Sequence, residues 1–219
     1  MSSFLLEGFV RPIYPNQRRI RFWYSAGLKT PPTRVRSIFV KNFTYPNKNT
    51  LLTSQTHYVK IPKMTIEKPY PEITFERMQQ KDLEQVMAIE EEAFPDPWSK
   101  SFFTQELRKR KTYIHLYIVR LNNEVIGYIV FYLFRGEGHI MNIAVTSEYR
   151  RRGVAKYLLA SALEVVRKNA GEEVFLEVSV NNTAAQELYK QFGFEVYGIR
   201  KRYYSNGEDA YVLRKEVQR

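Results

Sequence analysis

The stretch YRRRGVAKYLL, Tyr149–Leu159, decides how this chain folds. Three arginines stand beside one glycine, and an apolar run follows. Ahead of it lies His139–Val145, apolar from Ile140 and of strand length. Behind it, Ala155, Leu158, Ala162 and Val166 recur at the spacing of one helix face. The stretch is therefore a strand-to-helix turn with Gly153 at the helix entry. A helix N-terminus offers unpaired backbone N–H groups and partial positive charge. A residue without a side chain lets an anion approach those groups, and arginines on the same turn add charged donors. That is the chemistry of a diphosphate cradle. A solvated helix cap accounts for the same spacing equally well. The turn is neither a Walker loop, which needs Gly-x-x-x-x-Gly-Lys-Ser/Thr, nor a Rossmann turn, which needs Gly-x-Gly-x-x-Gly. A nuclear signal is a weak reading for a basic run lying between two structural elements.

Working outward, Glu72–Met78 alternates as a strand, and Gln80–Phe94 carries Leu83, Val86, Ile89 and Ala93 at helical spacing. FPDPWS, Phe94–Ser99, is a proline-broken turn, after which Ser99 or Ser101 caps a second helix to about Arg110. Tyr113–Arg120 and Val125–Phe134 read as strands. Downstream, Gly171 is expected to stop the helix that follows the turn. Val174–Val180 is then a strand and Thr183–Phe192 a short helix. Phe194–Tyr204 and Tyr211–Arg214 are strand-like, hinged at Ser205-Asn206-Gly207. The order is strand, two helices, three strands, helix, strand, helix, two strands, which is an α/β class. Its strand–helix–strand crossover makes two of the strands parallel neighbours.

Composition separates this unit from what precedes it. The net charge of +11 in 219 residues resembles a nucleic-acid binder's until it is mapped. Residues 1–66 hold eleven Lys/Arg and one acid, Glu7, whereas 67–219 hold 23 basic and 22 acidic residues. The charge thus belongs to the N-terminal third. That segment is spotted with prolines and shows no sustained helical period. Its composition fits an organelle transit peptide, a basic arm for RNA or the ribosome, or a poorly ordered or mis-assigned leader ahead of Met64; the last is preferred. Phe22, Trp23 and Tyr24 in a row are apolar for such a tail. The domains expected are 1–66 as a basic extension and 67–219 as the folded unit. No cysteine is present, which excludes disulfides, thiolate metal sites and a cysteine nucleophile. His57, His115 and His139 lack ligand spacing, so no metal is expected. No apolar run reaches membrane-spanning length, so no membrane partner is expected.

The motif Arg150-x-x-Gly153-x-Ala155, following Asn142-Ile-Ala-Val145, resembles the acetyl-CoA motif of GNAT-type N-acetyltransferases. LEVSVNNTAAQELYKQFGFE (Leu176–Glu195), RKRYYSNGEDAYVL (Arg200–Leu213) and AFPDPWS (Ala93–Ser99) look like the RimI branch, whose members acetylate the N-terminal alanine of a small-subunit ribosomal protein, the eighteenth. The resemblance covers roughly residues 72–216 and implies a GNAT fold, a mixed sheet whose parallel strand pair splays to bind acetyl-CoA. It implies direct attack by the acceptor amine on the thioester, without an acyl-enzyme. Backbone N–H groups of Arg151, Arg152, Gly153, Val154, Ala155 and Lys156 would hold the pyrophosphate. Ile143, Ala144 and Val145 would bind the pantetheine arm, with an N–H near Val145 polarising the carbonyl. By the same resemblance Glu177 is the general base, Tyr189 the general acid and Asn182 a cofactor ligand.

Each has a plainer reading: a core strand for Ile143–Val145, an ion-paired carboxylate for Glu177, a packed aromatic for Tyr189 and a helix N-cap for Asn182. The linker Phe94–Ser99 and the segment Tyr203–Asp209 would meet the acceptor, with Tyr203, Tyr204, Glu208 and Asp209 framing an entrance for a basic tail. Ser179 stands where the family often has arginine, and Ala155 where many relatives have glycine. The expected partner is a ribosomal-protein N-terminus, with the basic extension as a candidate ribosome contact and a monomer or weak dimer as the oligomeric state. The expected compartment is the cytoplasm, or an organelle stroma or matrix if 1–63 is a transit peptide. The alternatives are another acceptor (lysine, a small amine or broad protein N-termini) and an RNA- or ribosome-binding protein with a degenerate acetyl-CoA domain.

Overall fold

The computed structural model describes residues 66–109 and 113–217. The readings made for the basic extension lie outside them. Seven strands form one sheet: β1 (Thr74–Arg77), β2 (Ile114–Leu121), β3 (Glu124–Phe134), β4 (Glu137–Val145), β5 (Glu173–Ser179), β6 (Glu195–Arg200) and β7 (Ala210–Glu216). Their order is β1-β2-β3-β4-β5-β7-β6. Four helices flank it: α1 (Leu83–Ala93), α2 (Lys100–Lys109), α3 (Val154–Lys168) and α4 (Thr183–Gln191). The chain order is the one read from the sequence.

The sheet lies between two helical layers, which is why β2 and β3 are buried along nearly their whole length rather than on alternate residues. Side chains still divide by parity. Ile114, Leu116 and Ile118 join Leu83, Val86, Ile89 and Phe103 on the α1–α2 side. Tyr117, Val119, Ile129 and Phe131 join Leu158, Leu159, Ala162 and Val166 of α3 on the other. Full burial of a Leu, Ile, Val or Phe side chain contributes about 1.5–3 kcal/mol, so these two clusters supply most of the driving force.

Several element ends shift by one to three residues, and two differences from the sequence reading have an identifiable physical cause. The left-handed residue after α3 is Ala170, at φ 56°, not Gly171. The Gly171 N–H donates to the Val166 carbonyl at 2.9 Å, and a Cβ there would stand 2.2 Å from Val166 Cγ1. Glycine is needed for close approach, not for its backbone freedom. The second difference is β6, which ends at Arg200 rather than Tyr204. Asp209 explains it: its carboxylate accepts from the Arg202 N–H at 2.8 Å and from Lys201 Nζ at 2.6 Å. Those bonds turn the chain out of the ladder, and Arg202 adopts φ 49°.

Strands β4 and β5 are the parallel pair; every other pairing is antiparallel. Their ladder runs only from Glu137↔Glu173 to Ile140↔Leu176, although β4 continues to Val145 and β5 to Ser179. The break coincides with a register shift in the β3–β4 ladder, where Val130 pairs with Asn142 and Phe131 with Ile140. Met141 is therefore the extra residue of a bulge, which bends β4 away from β5. The C-terminal halves part, and a cleft opens between them.

Candidate active site

At one end of the cleft is the opening turn of α3. Arg150 is extended (φ −66°, ψ 153°), Arg151 is left-handed at φ 62°, and Gly153 is left-handed at φ 84° before Val154 starts the helix. Gly153 is the N-cap, no side chain caps the helix and no acid lies in its first turn. The first helical bond is Tyr157 N–H to the Gly153 carbonyl at 3.0 Å. The N–H groups of Val154, Ala155 and Lys156 precede it and receive no capping side chain. A Cβ on Gly153 would meet only Pro69 Cβ, at 3.4 Å, so the face above the turn is open. Alternating left-handed residues and a bare helix terminus form an anion-binding concavity, which fits a diphosphate.

The three arginines do different things. Arg150 Nε donates to the Val145 carbonyl at 3.0 Å, closing the end of β4, and its Nη2 approaches Glu92 at 3.5 Å. Glu92, on α1, also accepts from Ser147 N–H at 2.8 Å and Thr146 Oγ1 at 3.0 Å. Burial raises the Glu92 carboxyl, but these donors and Arg150 outweigh it and hold the group below the usual range. Arg152 lies over the Tyr149 ring, 5.7 Å from its centroid. Arg151 and Arg152 are both exposed.

Ile143, Ala144 and Val145 are buried on the part of β4 beyond its pairing with β5. On β5, Glu177 is the first residue past the end of that pairing, its side chain only 2 % exposed. Leu176 and Val178 face the α3 cluster, so Glu177 points to the other face. Its Oε2 lies 2.7 Å from His139 Nε2, and Arg200 Nη1 lies 3.1 Å from Oε1 as an ion pair. Burial alone would push this carboxyl up. The His139 charge and hydrogen bond, Arg200 and the Tyr203 side chain offset that and leave it below the ordinary carboxylate range. His139 is the site residue that sequence reading misses. It pairs with Phe175 in the parallel register, and Glu177 follows two residues on along the same face. Nothing in the local sequence carries that register.

Tyr189, on α4, is buried against Phe194, with ring centroids 5.8 Å apart, and burial pushes its phenol well above its ordinary value. Tyr204 connects the two sides. Burial first, then the charges of Glu177, Tyr189 and Glu208, raise its phenol against a hydrogen bond from the Ser179 backbone. Asn182 is the N-cap of α4, its Oδ1 accepting from Ala185 N–H at 3.0 Å. Ser179 Oγ donates to Glu208 Oε2 at 2.5 Å and is the leading reason Glu208 is held below the usual range. Among the described residues no cluster of His, Asp and Glu could hold a metal ion, and no helix is long and apolar enough to cross a membrane.

Comparison with known proteins identifies the family and the fold. The model of the acetyltransferase (GNAT) family matches residues 83–194. A Bacillus subtilis protein named for ribosomal protein bS18-alanine N-acetylation is 36% identical over 137 residues, 62% of this chain and 90% of that one. An N-alpha-acetyltransferase of Sulfurisphaera tokodaii is 33% identical over 146 residues, 60% of this chain and 86% of that one. The crystal structure of the ribosomal-protein-S18-alanine N-acetyltransferase from Escherichia coli superposes with a TM-score of 0.62 at 27% identity, covering 67% of this chain and 95% of that one. The chain belongs to the GNAT family and is an acetyl-CoA-dependent N-acetyltransferase.

Proposed function

We propose that this enzyme acetylates the N-terminal amine of a protein, with the alanine of the eighteenth small-subunit ribosomal protein as its acceptor. The observation that carries the reading is the buried Glu177–His139 pair where β4 and β5 begin to part, 2.7 Å apart. Acetyl-CoA supplies an acetyl group activated as a thioester. The α3 turn from Arg151 and Arg152 through Gly153, Val154, Ala155 and Lys156 holds its diphosphate. The Ile143–Val145 backbone lines the arm, and Asn182 keeps α4 beside it.

The acceptor amine must lose a proton before it attacks, and its unperturbed pKa is about 7.7–8.0. Glu177, held ionised beside His139 and Arg200, accepts that proton directly or through water. Tyr189 keeps its proton at neutral pH because burial raises its phenol, and it donates to the departing thiolate. The loop Phe94–Ser99 and the segment Tyr203–Asp209 bound the acceptor side, where Glu208, held below the usual carboxylate range by Ser179, carries negative charge suited to a basic tail. The extension 1–66 is an appendage to the catalytic unit 67–219.

A broader acceptor range is the second reading. Ser179 bonds Glu208 where the family often has an arginine, and archaeal relatives are named N-alpha-acetyltransferases. Acetyl transfer to peptides beginning Ala-Arg, Ser and Met-Glu, and to a blocked peptide with one free lysine, separates the two. The alanine reading expects clear preference for Ala-Arg. Equal turnover of all three N-termini selects the broad reading, and turnover of the lysine peptide alone refutes both.

A further inference from the structure

One buried carboxyl is not used by this chemistry. Glu90, on α1, has no exposed surface. Its Oε1 accepts from the Trp98 backbone N–H at 2.7 Å, across the linker between α1 and α2. Its Oε2 lies 3.2 Å from Asn142 Nδ2, and the same amide nitrogen lies 2.7 Å from the Tyr128 hydroxyl. Asn142 is the residue after the bulge at Met141, at the start of the part of β4 that leaves β5. One side chain thus ties the linker to the strand that lines the cleft. Trp98 is buried and packs on Phe102 and Phe103, with centroids 4.4 and 5.8 Å away, and Phe103 reaches Tyr128 at 5.9 Å.

We propose that Glu90 is a positioning residue for acceptor specificity, fixing the Phe94–Ser99 loop against β4 so that the entrance to the cleft keeps one shape. This rests on the reading that the loop meets the acceptor. The two hydrogen bonds that tie Glu90 across the linker come from uncharged groups, a backbone N–H and a side-chain amide. Burial pushes its carboxyl up to about 8, with the Trp98 N–H and Asn142 lowering it. A largely neutral carboxyl suits such partners. Turning the Asn142 amide would present its oxygen to the Glu90 hydroxyl at the same heavy-atom distances. Glutamine can reproduce that pattern. Aspartate, one methylene shorter, cannot reach both sides.

The test uses the full chain with Trp23→Phe, so that Trp98 is the single tryptophan and can be excited selectively over the tyrosines. Glu90→Gln is expected to stay within about twofold of the parent in peptide KM and to keep the Trp98 emission maximum. Glu90→Asp and Glu90→Ala are expected to raise peptide KM about tenfold, as loss of one buried hydrogen bond does, with the acetyl-CoA Kd unchanged. They also level the kcat/KM ratio between Ala-Arg and Ser peptides and shift Trp98 emission to the red. The proposal is overturned if Glu90→Gln behaves like Glu90→Asp, or if Asp and Ala lower thermal stability while peptide KM and emission stay put. Should Glu90→Ala fail to fold, the Gln–Asp comparison decides. Should the parent turn over no peptide, the acceptor reading fails separately, and Trp98 emission still shows whether Glu90 holds the loop.

Discussion

Gly153→Ala separates backbone strain from ligand binding, because the structure supplies a matched control. Gly153 has φ 84° with only Pro69 Cβ near an added methyl, at 3.4 Å; Gly207 has φ 83° with nothing within 4 Å. Alanine at either position costs the same left-handed strain, roughly 1–2 kcal/mol. That lowers Tm by roughly 2–8 °C for a domain of this size. Only at Gly153 does the methyl also enter the space above the helix N-terminus. Losing one charge-assisted bond to a phosphate costs about 1.5–3 kcal/mol, or roughly 10- to 150-fold in affinity. Isothermal titration with acetyl-CoA, paired with thermal melts, is the assay. The expected result is equal Tm loss in both variants and weakened acetyl-CoA binding in Gly153→Ala alone. Equal affinity in the two variants at equal Tm loss would refute the diphosphate cradle, however well both remain folded.

The pH behaviour follows from two carboxyls shifted in opposite senses. Glu177 is held below its ordinary value, so it remains ionised across the neutral range; the acid limb of kcat/KM then belongs to the acceptor amine, near pH 7.7–8.0 (about its free value). Glu177→Gln should lower kcat/KM at least about tenfold while keeping that limb, and a limb that vanishes in the variant would assign it to Glu177 instead. Glu90 is raised to about 8 in the fold against about 4.3 when unfolded. Between those values the unfolded chain has released a proton that the fold retains, so Glu90's contribution falls as pH rises. Melts at roughly pH 5 and pH 8 should therefore show Glu90→Gln gaining on the parent at the higher pH; an unchanged gap counts against a protonated Glu90. Deletion of residues 1–63 should leave peptide turnover within about twofold, measured beside salt-dependent RNA binding. Loss of RNA binding together with an inactive parent would favour the RNA-binding alternative.

The fold was legible in the sequence wherever a period and its punctuation coincide. Ala155, Leu158, Ala162 and Val166 mark α3, and the apolar run ahead of Tyr149 marks β4. Residues that act through tertiary register were not legible. His139 looks like a stray histidine until β4 and β5 pair in parallel and place it beside Glu177. Glu90 looks like one more polar residue in Glu90-Glu91-Glu92 until α1 turns it inward to Trp98 and Asn142. Gly171 carries a helix-stop signature for the wrong physical reason, since contact with Val166 requires it. Asp209 ends β6 from nine residues beyond Arg200, through bonds to side chain and backbone that no strand propensity encodes.

The arginine-rich turn shows how misleading composition becomes at close range. Its cationic density suggests side chains gripping phosphate, yet Arg150 is committed to the Val145 carbonyl and Glu92, and Arg152 lies over Tyr149. What the turn presents is backbone: two left-handed residues and a helix start without a cap. Backbone donors at a helix terminus are fixed before the ligand arrives, whereas an exposed arginine loses rotamer freedom to bind. Arg150 contributes by closing β4 and, through Glu92, joining the turn to α1. Because α1 also carries Glu90, one helix is tied both to the acceptor-side loop and to the cofactor-side turn. Under the proposed reading, substrate entrance and cofactor cradle are held in mutual position by two glutamates on the same helix, Glu90 and Glu92, and the splay between β4 and β5 is where the two sides meet.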